Sequence, residues 1–97
     1  MALPAARLSR IRAALEQALA PTLLEVTDDS HRHAGHAGAA GGAGHYRVQI
    51  VSAAFAGKSA LARHRMVYAA LAGMMPAEIH ALAIVARAPG EAAPGSG

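Results

Sequence analysis

A chain of 97 residues is long enough for one compact core of helices and strands and too short for two. Its apolar fraction is 54% but aromatics make up only 3%, so the core has to be assembled from Leu, Ile, Val and Met; the lack of cysteine excludes disulfides, thiolate zinc sites, a cysteine nucleophile and any iron–sulfur cluster held by the chain's own thiolates. A net charge of +3 permits weak attraction to nucleic acid or to an acidic protein face without choosing between them, and Arg7, Arg10, Arg12 and Glu16 interrupt the first segment well short of the about 18–20 apolar residues of a spanning helix.

Leu8, Ile11, Leu15 and Leu19 recur at helical spacing, with Pro4 tolerated in the first turn and Pro21 ending the run, which predicts a helix over residues 4–19. The same period makes the arginine-bearing N-terminus a folded helix rather than a transit peptide, and the cytoplasm is the expected compartment. Thr22 to Thr27 reads as a first strand with Leu24 and Val26 toward the core, closed by the turn-prone pair Asp28-Asp29. Residues 30–44 are almost only His, Gly and Ala, a composition that cannot offset the entropy of ordering, so a mobile loop is expected there.

From His45 to Ser52 the residues alternate, with Tyr46, Val48 and Ile50 on one side and His45, Arg47 and Gln49 on the other, as in a half-buried strand pairing antiparallel with the first. Phe55 to Lys58 is a turn. Ser59 is placed to cap a second helix that carries Leu61, His64, Val67 or Tyr68, and Leu71 on one face and ends at Gly73. Pro76-Ala77-Glu78 suits one further helical turn, and Ile79 to Arg87 reads as a third strand. A frayed tail is expected over residues 88–97. Two antiparallel strands followed by a helical crossover to a third give an α+β domain over residues 1–87, with a mixed three-stranded sheet and helices packed on it.

Several runs together resemble the BolA family: Leu24-Glu25-Val26, Asp29-Ser30 followed by His33, His45-Tyr46-Arg47-Val48, Phe55-x-Gly57-x-Ser59, Arg63-His64-Arg65-x-Val67-Tyr68 and Ile79-His80-Ala81-Leu82. The resemblance covers about residues 5–87. It implies an αββααβ fold of the type II KH-like kind and a non-enzymatic adaptor that partners a monothiol glutaredoxin. In such a pair a [2Fe–2S] cluster is shared between the glutaredoxin cysteine, glutathione and histidine of the BolA chain, and none is held stably by the BolA chain alone. By position in the family's His-Ala-Leu motif, His80 is the implied principal ligand, and His33 in the loop is the implied second. Two departures stand out. His31 and His36 flank His33 as rival loop ligands, and the chain continues in Gly, Ala and Pro where many relatives place an aromatic residue after the third strand.

Imidazole nitrogen is a competent donor to iron, and two imidazoles replace two thiolates on one iron of Rieske-type centres. Set against this chemistry, His80 on spacing alone is a histidine hydrogen-bonded at a strand end; the family motif tips it to ligand. His64, on the apolar stripe of the second helix, reads as a packed core histidine, and His45 as a residue at the sheet margin that binds nothing. His31-x-His33-x-x-His36 could alternatively hold Zn²⁺, Ni²⁺ or Cu²⁺ by itself, which would make the chain a metal buffer. None of Ser9, Ser30, Ser52, Ser59 and Ser96 sits in a nucleophile turn or beside a His–acid pair, so no enzymatic activity is expected.

The rival function is nucleic-acid binding as a transcriptional regulator, with Lys58, Arg63 and Arg65 clustered at the start of the second helix as the contact residues. KH domains clamp a backbone with a Gly-x-x-Gly turn, and the corresponding stretch here, Gly73-Met74-Met75-Pro76, lacks the second glycine.

Overall fold

A computed structural model of the chain describes residues 4–29, 44–75 and 78–91. Helix α1 runs Pro4–Leu19, strand β1 Leu23–Asp28, strand β2 Gly44–Val51, helix α2 Ala60–Ala70 and strand β3 Ile79–Arg87. Single 3-10 turns occupy Ala53–Phe55 and Ala72–Met74. The strands form one sheet in the order β1-β2-β3, with β1 antiparallel and β3 parallel to β2. This is the α+β architecture that the sequence predicts.

Alternation in β2 decides which face is covered. Tyr46, Val48 and Ile50 are buried, whereas His45, Arg47, Gln49 and Val51 are not. Ile11, Leu15 and Leu19 of α1 and Val67 and Leu71 of α2 join those three in one core cluster with Phe55, Met74, Ile79 and Ala88. Leu24, Val26, Leu82 and Ile84 from the flanking strands pack against it. Burying each large aliphatic side chain in such a cluster contributes about 1.5–3 kcal/mol, which is how a chain nearly free of aromatics still closes a core.

Ends of elements are held by local chemistry. Ser52, itself buried, donates from Oγ to the Leu19 carbonyl at 2.5 Å and accepts from Ala54 N at 3.1 Å, so one hydroxyl closes the C-terminus of α1 and opens the 3-10 turn. Ser59 caps α2 as expected, accepting from Ala62 N. Gly57 precedes it at φ +73°, a conformation that costs other residues a steric penalty.

Three expectations change. Helix α2 ends at Ala70, before Gly73, because the chain tightens into the 3-10 turn Ala72–Met74. That turn is the short helical element between α2 and β3 among the described residues; of the expected Pro76-Ala77-Glu78 turn, Pro76 and Ala77 lie outside them. Helix α2 is also rotated from the expected face. Val67 and Leu71 are fully buried, but Leu61 is 59% exposed, Tyr68 40% exposed, and His64 is exposed rather than packed in the core. Ala60, Ala62 and Ala69 supply little contrast between faces, so Met66, Val67 and Leu71 decide the buried arc.

Past Arg87 the chain keeps its order for several residues, since Ala88 is 5% exposed and Glu91 is bound by Arg63. The rest of the expected tail, residues 92–97, and residues 30–43 of the expected loop lie outside the described residues, while Gly44 already belongs to β2.

Candidate functional site

The start of β3 is fixed from three sides. The Glu78 amide donates to the Met74 carbonyl at 2.8 Å, its carbonyl accepts from Gly44 N at 3.0 Å, and its carboxylate receives both terminal nitrogens of Arg10, with Arg7 Nε 3.7 Å away. Helix α1 and the head of β2 therefore both hold the residue that leads into Ile79-His80. Exposed ion pairs of this kind add little stability, but two-pronged geometry restricts direction.

Between the pairs Gly44↔Ile79 and His45↔Ala81 the ladder shifts register, leaving His80 as an extra residue on β3. Ile79 before it is completely buried and Leu82 after it packs on the core, so the extra residue is turned out to the exposed side. Bulges have this effect: they break the two-residue period and re-aim a side chain. His80 is exposed, and its ring centre lies 5.3 Å from that of His45, with the ring planes inclined at 55°.

His45 is the functional candidate that sequence reasoning missed. Its outward direction was legible in the alternation of β2, but its neighbour was not, because the pairing of two distant strands and the bulge leave no local mark. Its backbone is anchored by the residue that follows β1, the Asp29 amide donating to the His45 carbonyl at 2.7 Å. Asp29 in turn pairs with Arg47 at 3.1 Å, on the same outer face of β2.

The other expected ligands, His31, His33 and His36, lie outside the described residues. Among the described residues no group of three or more His, Cys, Asp or Glu is gathered as a metal site. Two imidazoles, those of His45 and His80, are brought together at the strand heads, and a metal bound there would need its other ligands from elsewhere.

The three basic residues expected to contact nucleic acid separate in the structure. Lys58 and Arg65 are exposed. Arg63 is turned inward, donating to the Lys58 and Ala86 carbonyls and to both carboxylate oxygens of Glu91. Its hydrogen bonds to Glu91 raise its pKa, and they hold the Glu91 carboxyl down to about 2, with the Ala88 amide assisting. Arg63 is a structural clasp. No helix among the described residues is long and apolar enough to cross a membrane.

Comparison with known proteins adds the following. A family model described as BolA-like protein matches residues 15–91. The SufE-like protein 1, chloroplastic/mitochondrial, of Arabidopsis thaliana is 48% identical over 87 residues, covering 84% of this chain and 24% of that protein. A solved structure of the BolA domain of SufE1 from the same plant superimposes with a TM-score of 0.80 at 46% identity, covering 94% of this chain and all of that one. BolA-like protein 1 of Homo sapiens is 48% identical over 81 residues, 84% of this chain and 57% of its own length. The DNA-binding transcriptional regulator BolA of Escherichia coli is 43% identical over 75 residues, 77% of this chain and 69% of its own length. The chain thus spans about a quarter of the plant protein and little more than half of the human one.

Proposed function

The chain belongs to the BolA-like protein family, and from that premise we propose that it is a non-enzymatic adaptor, working in the cytoplasm, that binds a monothiol glutaredoxin and shares a [2Fe–2S] cluster with it for cluster trafficking or iron regulation. The observation that carries this reading is the exposed His80, set out of register at the head of β3 beside a second imidazole. Neutral nitrogen donors suit iron of borderline softness, and a chain without cysteine has to rely on its partner and glutathione for the thiolates. The cluster is cargo in this account, and His80 supplies the principal bond from this side.

A cluster held in this way is shared rather than owned. The isolated chain is expected to keep none through gel filtration, and to change the visible spectrum only when glutaredoxin and glutathione are present. The test is visible absorption and circular dichroism of a reconstituted glutaredoxin–glutathione mixture with and without the chain. A shifted spectrum that reverts with His80→Ala supports the proposal; identical spectra end it.

The second reading, a nucleic-acid-binding regulator, is favoured by the name of the Escherichia coli relative and by the exposed Lys58 and Arg65. Against it, Arg63 is committed to Glu91, which leaves a sparse basic surface on α2. Gel shifts across salt concentrations test it: binding that disappears near physiological salt is nonspecific charge attraction, and binding that survives but is lost with Lys58→Ala and Arg65→Ala together supports the regulator.

A further inference from the structure

We infer that His45 and His80 form a two-nitrogen seat for one metal atom, and that His45 is the second donor of this chain to the iron whose other ligands a partner brings. The part concerning a partner's iron rests on the adaptor reading above; the seat itself does not.

Two observations and one property of the imidazole ring carry it. First, the separation fits. With metal–nitrogen bonds of about 2.0–2.1 Å, two imidazoles on one tetrahedral atom have their ring centres roughly 5 Å apart, and the observed distance is 5.3 Å. The planes are inclined at 55°, so the rings are not stacked face to face.

Second, both donors stand on strand backbone. His45 is held through its carbonyl by Asp29 and sits within the β2–β3 ladder, and His80 is the residue that the bulge turns out. Donors fixed on regular elements lose little freedom on binding. Third, each imidazole has two nitrogens, so one can be held by a protein partner while the other faces the metal, the usual arrangement at histidine-ligated metals.

The seat predicts chelation without any glutaredoxin. Copper(II) is the probe, added to full-length chain in which His31, His33 and His36 are replaced by Ala so that these imidazoles do not compete. Two imidazole nitrogens are expected in the electron paramagnetic resonance hyperfine pattern. Affinity is expected to fall at least tenfold with either His45→Gln or His80→Gln and to stay unchanged with His64→Gln. Glutamine retains size and hydrogen bonding at the strand heads, and circular dichroism of each variant verifies the fold.

Unchanged copper affinity and nitrogen count in His45→Gln would show two rings that only pack, and would overturn the seat. The glutaredoxin mixture then separates the two claims. If the wild-type chain alters the cluster spectrum and His45→Gln does not, both stand. If His45→Gln behaves as wild type while the loop triple variant loses the effect, His45 is not the iron ligand and the adaptor reading survives. If the wild-type chain alters nothing, the adaptor reading fails, and the copper result alone decides the seat.

Discussion

Arg63 donates through Nη1 and Nη2 to the two carboxylate oxygens of Glu91, at 2.6 and 2.8 Å, and so ties the second helix to the turn that follows the last strand. The same carboxylate accepts from the Ala88 amide at 3.1 Å. These contacts lower the pKa of Glu91 from 4.5 to about 2. A carboxyl depressed in the folded state stabilises the fold above its unfolded pKa, and that contribution is lost as pH falls through the folded one. The stability difference between wild type and Glu91→Gln is therefore expected to be full above about pH 5, to shrink between pH 4.5 and 2, and to vanish below. Urea midpoints of both proteins across this range measure it. A difference constant with pH would mean that the ion pair contributes nothing.

Position 64 separates the two readings of α2. With its imidazole exposed, His64→Ala is expected to change stability by no more than about 0.5 kcal/mol. Leu71→Ala, on the buried side, is expected to cost about 2–5 kcal/mol because Leu71 is fully enclosed and leaves a cavity. Thermal melts of the two variants side by side decide it; a large loss for His64→Ala would restore a core role to that ring.

Most of the fold was legible because its signals are local. Leu8, Ile11, Leu15 and Leu19 mark α1 by spacing, Pro21 marks its end, Ser59 marks the start of α2, and the alternation of Tyr46, Val48 and Ile50 marks both β2 and its buried side. What failed was nonlocal or lacked contrast. In α2, spacing of three and four allows Leu61, His64 and Tyr68 as readily as Val67 and Leu71, and alanine between them does not break the tie. At the site, the exposure of His80 depends on a register shift between β2 and β3, and its neighbour His45 lies thirty-five positions earlier in the chain. No pattern within a single segment encodes that proximity.

Gly44 occupies the head of β2 for a reason of space. A Cβ there would come 2.5 Å from Tyr46 Cε2 and 2.6 Å from its hydroxyl oxygen. Tyr46 is only 3% exposed and cannot swing aside freely. Gly44→Ala is therefore expected to lower stability by about 1–3 kcal/mol, the usual cost of overpacking. It should also alter the near-ultraviolet tyrosine circular dichroism, since the only other tyrosine, Tyr68, is 40% exposed and lies outside the core cluster. A stable variant with an unchanged tyrosine signal would contradict the packing described for this strand head.

Ala20 is the one described non-glycine residue with positive φ, at 45°. It follows the last residue of α1 and donates to the Glu16 carbonyl at 3.0 Å, while Pro21 prevents the helix from continuing. This is the left-handed position that closes many helices and that glycine fills without steric cost. For an L-residue the conformation costs about 1–2 kcal/mol. Glycine removes that cost but loses more backbone entropy on folding, by roughly 0.5–1 kcal/mol. The difference favours the substitution, and Ala20→Gly is expected to raise stability by about 0.5–1 kcal/mol without moving the strands. Denaturant unfolding with an unchanged m-value would register the gain, whereas a loss of stability would show that Ala20 does not adopt the left-handed conformation in solution.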